Sequence, residues 1–322
     1  MKAILVHTPG DASALTYGDA PAPEPKPNEV LISIKAIGVN FIDVYFREGR
    51  YPAHAPFIPG NEAAGVVTEV GSAVTDLKAG DRVAYTGHLG SYAELQTMPA
   101  DRVVKVPESI DFETAAAAML QGMTAHYLCH DTYRLRAGET ALVHACAGGV
   151  GQLLVQMAKE IGARVIGTAG SEEKAQLGRA AGADEVIVYA THDFAAETKR
   201  LTNGEGVHVV FDGVGKTTFD GDLEILRPRG YLVLFGGASG AVPPFDPMVL
   251  SRKGSLFLTR PTLVNYIATR EELVARTTSI FEMIASGRLR LRLDRRYPLA
   301  EAAQAHRDLE ARKTTGKVLL IP

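Results

Sequence analysis

At 322 residues, 46% hydrophobic and 22% charged, the chain is longer than one hydrophobic core usually serves and has the composition of a soluble two-domain protein. A net charge of −3, a pI of about 6.3 and no Lys/Arg-rich run exclude an electrostatic surface for nucleic acid or anionic membrane. No apolar run is long enough to cross a bilayer, and two cysteines, Cys129 and Cys146, are too few for a disulfide framework or a four-cysteine metal site, so they read as free buried thiols of a cytoplasmic protein.

"MKAILVHTPGD" reads as a first strand and not as a signal peptide. Residues 20–29, "APAPEPKPNE", form a proline-rich connector. "VLISIKAIGV", "GVVTEVGSAV" and "DRVAY" are strand-like and are separated by turn signals, which predicts a β-barrel-type domain of short strands. The pattern changes at "DFETAAAAMLQGMTAHYLCH", where Ala, Leu and Met favour helix. Strand and helix then alternate: "TALVHA", "GVGQLLVQMAKEIG" closed by Gly162, "ARVIGTA", "SEEKAQLGRAAG", "EVIVY", "HDFAAETKRL", "VHVVFD", "TTFDGDLEILRPRG" stopping at Pro228, "YLVLFGG" and a sixth strand in "GSLFLT". Apolar strands alternating with amphipathic helices predict an α/β fold with a doubly wound parallel sheet. The remainder is a long helix and a closing strand. They pack back on the first domain, because a helix and one strand cannot form a core alone.

The segment "HACAGGVGQ" joins the first of these strands to the first helix. Gly148, Gly149, Val150 and Gly151 there form a turn whose amides can approach a pyrophosphate, with the helix dipole behind them. Cys146 stands at the first glycine position of the usual fingerprint. The next strand ends in Thr168-Ala169-Gly170-Ser171, followed by Lys174, where an NAD site would carry an acid for the ribose hydroxyls. A hydroxyl and an ammonium in a small loop suit a 2′-phosphate instead. One bond to a charged group is worth ~1.5–3 kcal/mol, enough to favour NADPH on the order of 10- to 150-fold. Lys174 also reads simply as a solvated helix lysine, so the missing acid is the better clue.

These residues, with "GVNFIDVYFREGRYP", "PGNEAAGVV", "VGSAVTDLKAGDRV" and "LTRPTL", resemble the medium-chain dehydrogenase/reductase superfamily, and within it the zeta-crystallin-like NADPH:quinone oxidoreductases. The resemblance runs from Met1 to the closing "LLIP". It implies a GroES-like β-barrel-type catalytic domain over 1–122 and 264–322, a Rossmann NADPH-binding domain over 123–263, and homodimers joined partly through "GSLFLT". Where zinc-dependent relatives carry a cysteine and a histidine ligand, this chain has Asn40 and Asn61, and an amide is a poor zinc ligand; the resemblance therefore implies a zinc-independent enzyme. His126 and His130, at i and i+4 with Cys129 alongside, are the remaining candidates for a metal, although helix packing explains them better.

Without a Lewis acid, the reaction implied is hydride (or electron) transfer from NADPH to a quinone, with the protein supplying orientation and a donor for the acceptor oxygen. The resemblance places Asn40, Tyr45 and Tyr51 at the reacting centre, Asn40 also on the nicotinamide cofactor, and Arg260 on the cofactor or in the pocket. It places Thr124 and Tyr189 on the nicotinamide-ribose or adenine regions. Gly213 and Phe235 lie at the ends of later strands, where the ligand crevice of such sheets opens. Two readings compete: a reductase of conjugated enones and 2-alkenals, which needs the same geometry, and a nucleotide-binding structural or RNA-binding crystallin-like protein, against which the charge argues.

Overall fold

A computed structural model describes all residues, 1–322. Strands β1 (Lys2–Leu5) and β2 (Thr16–Asp19) pair as an antiparallel ribbon. β3 (Glu29–Val39), β4 (Glu62–Val70), β5 (Arg82–Thr86), β6 (Leu95–Pro99) and β7 (Val104–Lys105) follow. The long β3 is their hub: it pairs antiparallel with β4 along one edge, and its other edge is shared by β6 over Glu29–Ser33 and by the chain's last strand over Ile37–Val39. Ile32, Ile37, Val67, Val83, Tyr85 and Met98 meet in one core with Val318 and Leu320 from that last strand. Helix α1 (Phe41–Arg47) leaves directly from β3, and α2 (Phe112–Tyr127) continues into a π-helical turn over Leu128–Thr132.

From there strand and helix alternate: β8 (Thr140–Val143), α3 (Gly149–Ile161), β9 (Arg164–Ala169), α4 (Glu172–Ala180), β10 (Glu185–Val188), α5 (Phe194–Leu201), β11 (Val207–Asp212), α6 (Phe219–Ile225), β12 (Leu226–Leu234), α7 (Met248–Arg252) and β13 (Phe257–Thr259). The strands form one parallel sheet in the order β10-β9-β8-β11-β12-β13. The order reverses between β8 and β11, the point where sheets of this kind bind ligands at the carboxyl ends of their strands. Gly162 closes α3 in the left-handed conformation, φ 91°, which glycine adopts without strain. The helix expected to run to Pro228 stops at Ile225, and β12 begins at once. Leu226 pairs with Val207, and the register then shifts, with Arg229 at φ 62°. Pro228 thus sits in a bulge, where a strand tolerates proline.

The chain ends with α8 (Arg270–Ala285), β14 (Leu293–Pro298), α9 (Ala302–Glu310) and β15 (Lys317–Ile321). β15 is the closing strand, antiparallel to β3. β14 and α9 are additions to the reading by sequence. "LDRRYP" has no apolar alternation because β14 is an edge strand, and its charges guard that edge.

The chain falls into two compact units, Met1–Met123 with Ile267–Pro322, and Thr124–Tyr266. The division lies inside α2. The first unit is the β-rich domain built on β3 and the second is the doubly wound parallel-sheet domain.

Candidate active site

In the Rossmann-type unit the parallel sheet carries the site residues read from the sequence to one edge. Gly148 follows the end of β8, Gly170 that of β9, Tyr189 that of β10, Gly213 that of β11, Phe235 that of β12 and Arg260 that of β13. Their spacing along the chain is irregular, yet the sheet aligns them because every parallel strand ends on the same side.

At the end of β8, Ala145 takes φ 49° and Gly148 donates its amide to the Ala145 carbonyl at 2.8 Å, which turns the chain into α3. No side chain caps α3, so the first amides, those of Gly149, Val150 and Gly151, point outward. A Cβ on Gly151 would run into the Ala145 carbonyl oxygen, and one on Gly148 would lie 3.1 Å from it. The turn fits a pyrophosphate: open amides, a helix dipole and no side chain in the way.

Cys146 faces away from that surface. Its sulfur is fully buried, and a Cβ on Gly167 in β9 or on Gly178 in α4 would come 2.6 Å and 2.5 Å from it. The thiol therefore fills the gap that two glycines leave between strand and helix. Burial pushes its pKa up to about 12, so it is neither nucleophile nor redox centre at neutral pH.

At the end of β9, Ser171 caps α4 and accepts the Lys174 amide at 3.3 Å. The first carboxylate beyond it, Glu172, is bound to Arg179 at 2.5 Å, further down the helix. The Tyr189 ring, 44% exposed, lies over Gly170, where a Cβ would meet its hydroxyl at 2.7 Å. Gly213 is covered in the same way by Phe235, 3.0 Å from a Cβ placed there. Arg260 is exposed and its Nη1 reaches only the Pro261 carbonyl, at 3.5 Å. Thr124 is buried in α2. His126 and His130 stack with centroids 4.4 Å apart, while the Cys129 thiol turns to the Ala125 carbonyl at 3.2 Å, so the three do not converge.

A cluster that sequence spacing did not reveal lies beneath the turn. His144 binds Thr168 Oγ1 through Nδ1 at 2.9 Å and Asp222 Oδ1 through Nε2 at 2.7 Å, with the ligand atoms of His144, Asp222 and Asp212 all within 4.8 Å of one another.

In the barrel unit Asn40 stands at the start of α1, donating its backbone amide to Asp43 Oδ2 at 2.9 Å. Both ends of its side chain are engaged. Nδ2 donates to Glu62 Oε1 at 2.7 Å, and Oδ1 accepts from Lys317 Nζ at 2.8 Å and from Gln121 Nε2 at 3.2 Å. Lys317 also pairs with Glu62 Oε1, and Glu62 Oε2 accepts the Leu120 amide at 2.6 Å. Lys317 and Glu62 are almost wholly buried.

Asp43 accepts from Asn61 at 2.9 Å and from the Tyr92 hydroxyl at 3.2 Å; Tyr92 in turn meets His306 Nε2 at 2.9 Å, and Arg47 meets His306 Nδ1 at 3.2 Å. Burial and the Arg47 guanidinium push His306 down to about 3, so its ring is neutral. Since Arg47 can only donate, His306 carries its proton on Nε2 and donates to Tyr92, and Tyr92 donates to Asp43. This chain holds α1 in place. Tyr45 is buried and its ring centroid lies 5.5 Å from that of Tyr51. The Tyr51 ring is partly exposed and its hydroxyl makes no hydrogen bond.

Two family models match the chain: "Alcohol dehydrogenase GroES-like domain" over residues 26–108 and "Zinc-binding dehydrogenase" over 149–277. The Pseudomonas aeruginosa quinone oxidoreductase is 49% identical over 317 residues, 97% of each chain. The crystal structure of Escherichia coli quinone oxidoreductase complexed with NADPH superposes with a TM-score of 0.98 at 44% identity, covering all of both chains. A 2-haloacrylate reductase from Burkholderia sp. is 39% identical over 100% of this chain and 99% of its own. This chain belongs to the quinone oxidoreductase branch of the medium-chain dehydrogenases/reductases.

The zinc in the second family description does not fit the residues present. Asn40 and Asn61 offer amides, and the one carboxylate between them, Glu62, already holds the Lys317 ammonium. A metal ion here would meet a resident cation. Lys317 was not legible as a site residue, because it lies 277 positions from Asn40 in sequence.

Two outcomes follow from these contacts. Neither cysteine should react with Ellman's reagent in the native protein, and both should react once guanidinium unfolds it, since both are buried. Lys317→Met should cost about 3–5 kcal/mol in a denaturant melt, because it strands a buried carboxylate. Adding Glu62→Gln should recover most of that loss.

Proposed function

We propose that this chain is an NADPH-dependent quinone oxidoreductase that works without zinc. The reading is carried by the 49% identity, across 97% of both chains, to a protein named quinone oxidoreductase. The site supports it residue by residue. Bound NADPH supplies a hydride from its nicotinamide ring to an electrophilic carbonyl compound. The amides of Gly149, Val150 and Gly151 bind the pyrophosphate. Gly170, Ser171 and Lys174 take the 2′-phosphate, while Glu172 turns toward Arg179. Tyr189 flanks the adenine end, and Thr124, Gly213, Phe235 and Arg260 serve the nicotinamide half.

In this reading the unit Thr124–Tyr266 binds the cofactor. Asn40, with its amide saturated by Glu62, Lys317 and Gln121, fixes the start of α1 and donates nothing to the substrate. Tyr45 packs behind Tyr51. The unpaired Tyr51 hydroxyl is the donor for the oxygen on which negative charge develops. The protein works as a cytoplasmic homodimer, whose seam the edge strand β13 offers by exposing Phe257, stacked on Tyr231; no helix is long and apolar enough to cross a membrane. Reduction of conjugated carbonyls is the second reading, favoured by the 2-haloacrylate reductase among the relatives.

Steady-state assays with NADPH and NADH test the cofactor. The kcat/KM ratio for the two should be on the order of tenfold or more in favour of NADPH, and Lys174→Ala should bring it toward unity; equal use of both by the unaltered protein overturns the assignment. With naphthoquinone as acceptor, Tyr51→Phe should lower kcat/KM by about 10²-fold while NADPH affinity holds. An unchanged rate removes Tyr51 from the reaction. Running 2-alkenals and 2-haloacrylate beside the quinones separates the two readings.

A further inference from the structure

The His144 cluster has no part in the function proposed above. It sits at the point where strand order reverses, and four segments of the crevice meet on it. His144 follows β8 and leads into the pyrophosphate turn; Thr168 lies in the last residues of β9; Asp212 ends β11; Asp222 stands in α6. All four are buried, with exposures between 0% and 3%. Thr168 ties the turn from both sides: its Oγ1 meets His144 Nδ1 at 2.9 Å, and its carbonyl accepts the Cys146 amide at 3.1 Å. Asp212 holds the loop after β11, accepting the amides of Val214 at 2.6 Å and Gly215 at 3.1 Å and the Thr218 hydroxyl at 2.8 Å. Asp222 joins the two halves by accepting from His144 through Oδ1.

The second oxygen of Asp222 is the key atom. It is buried and has no hydrogen-bond partner when the carboxylate is counted as an acceptor alone. Asp212 is the neighbouring carboxylate. Two carboxylates side by side in a buried site repel unless a proton lies between them. A proton on Asp222 removes the repulsion and turns the orphan oxygen into a donor toward Asp212. A metal ion fits less well, because both His144 nitrogens and both Asp212 oxygens are already in use.

We propose that His144 and Asp222 are positioning residues for NADPH binding, and that a proton held between Asp222 and Asp212 locks the loops after β8, β9 and β11 into their binding shape. The inference rests on the NADPH reading. The groups facing Asp222 are His144 and Asp212; His144 faces the same two carboxylates, and the Phe194 ring from α5 stands edge-on to it at 5.0 Å. Burial drives Asp222 up to about 7, Asp212 adds to that, and His144 opposes it. For His144 burial acts downward, but the Asp222 and Asp212 carboxylates outweigh it and its pKa is raised. Asp222 therefore holds a proton in the folded state that the unfolded chain releases, so the stability it contributes is lost as pH rises through neutrality. Loss of the proton sets two carboxylates against each other beneath an anion-binding turn.

The test compares Asp222→Asn with the unaltered protein. The asparagine keeps the shape and imitates the protonated carboxyl: Oδ1 accepts from His144 and Nδ2 donates to Asp212. NADPH Kd, read by fluorescence titration, should rise by about fivefold or more between roughly pH 6.5 and 8.5 in the unaltered protein, and by less than about twofold in Asp222→Asn. The comparison cancels titration of NADPH itself. At alkaline pH the variant should bind more tightly than the parent, a gain that a merely structural role does not produce. Asp222→Leu, which breaks both ties, should raise Kd and KM for NADPH at every pH, with kcat for quinones largely kept.

Parallel pH profiles for the parent and Asp222→Asn overturn the proposal. If the unaltered protein binds no NADPH at any pH, the functional reading fails instead. The proton site is then still read by thermal melts without cofactor: Tm should fall with rising pH in the parent and less in Asp222→Asn, and equal slopes reject it.

Discussion

The barrel unit depends on a buried ion pair between residues 255 positions apart, Glu62 on β4 and Lys317 on β15. The unit is discontinuous in sequence, since the whole segment Thr124–Tyr266 intervenes before its last strand arrives. An ammonium buried away from water must find a carboxylate, and a carboxylate buried beside it must find an ammonium. The pair therefore specifies where β15 docks on β3. Gly38 on β3 is part of the same constraint: a Cβ there would run into both Glu62 and Lys317. Asn40 lies two residues on, and its amide completes the coordination of the pair. The start of α1 is thus set by a contact made at the far end of the chain.

The Rossmann-type unit solves a different problem. A parallel sheet brings every strand end to one edge, so backbone turns supply most of the ligand surface and side chains are needed mainly to keep those turns in place. Cys146 illustrates this. It occupies a fingerprint position that usually holds glycine, and its thiol is balanced by glycines at 167 and 178 that make room for it. The chemistry of sulfur is suppressed by burial, while its volume is used. His144, Thr168, Asp212 and Asp222 do the polar counterpart of the same task, tying loops that are far apart in sequence through one hydrogen-bonded group.

Both units give the reaction orientation and little chemistry of their own. The barrel unit engages its buried charged groups internally: Glu62 with Lys317, Arg47 with Glu310, and Asp43 with amides and a phenol. Tyr51, partly exposed, packs edge-on against Tyr45 and Phe46. With Glu62 held by Lys317 and amides at Asn40 and Asn61, the Lewis-acid route to oxidising an alcohol is lost.

Local pattern was enough for the order of elements, the α/β class and the glycine turn, because helix and strand periods, glycine turns and helix caps are properties of a few neighbouring residues. The absence of an acid after β9 was legible for the same reason. The helix end at Ile225 and the edge strand β14 were not, since a bulge and a charged edge strand carry no apolar period. Tertiary structure alone decided what the polar residues do. Asn40 reads in sequence as a donor for substrate, and the fold saturates its amide with Glu62, Lys317 and Gln121. His144 reads as a histidine in an apolar run, and the fold gives it two carboxylates. A buried polar group takes its role from the partner that satisfies it, and those partners lie up to 277 residues away, beyond the reach of any local pattern.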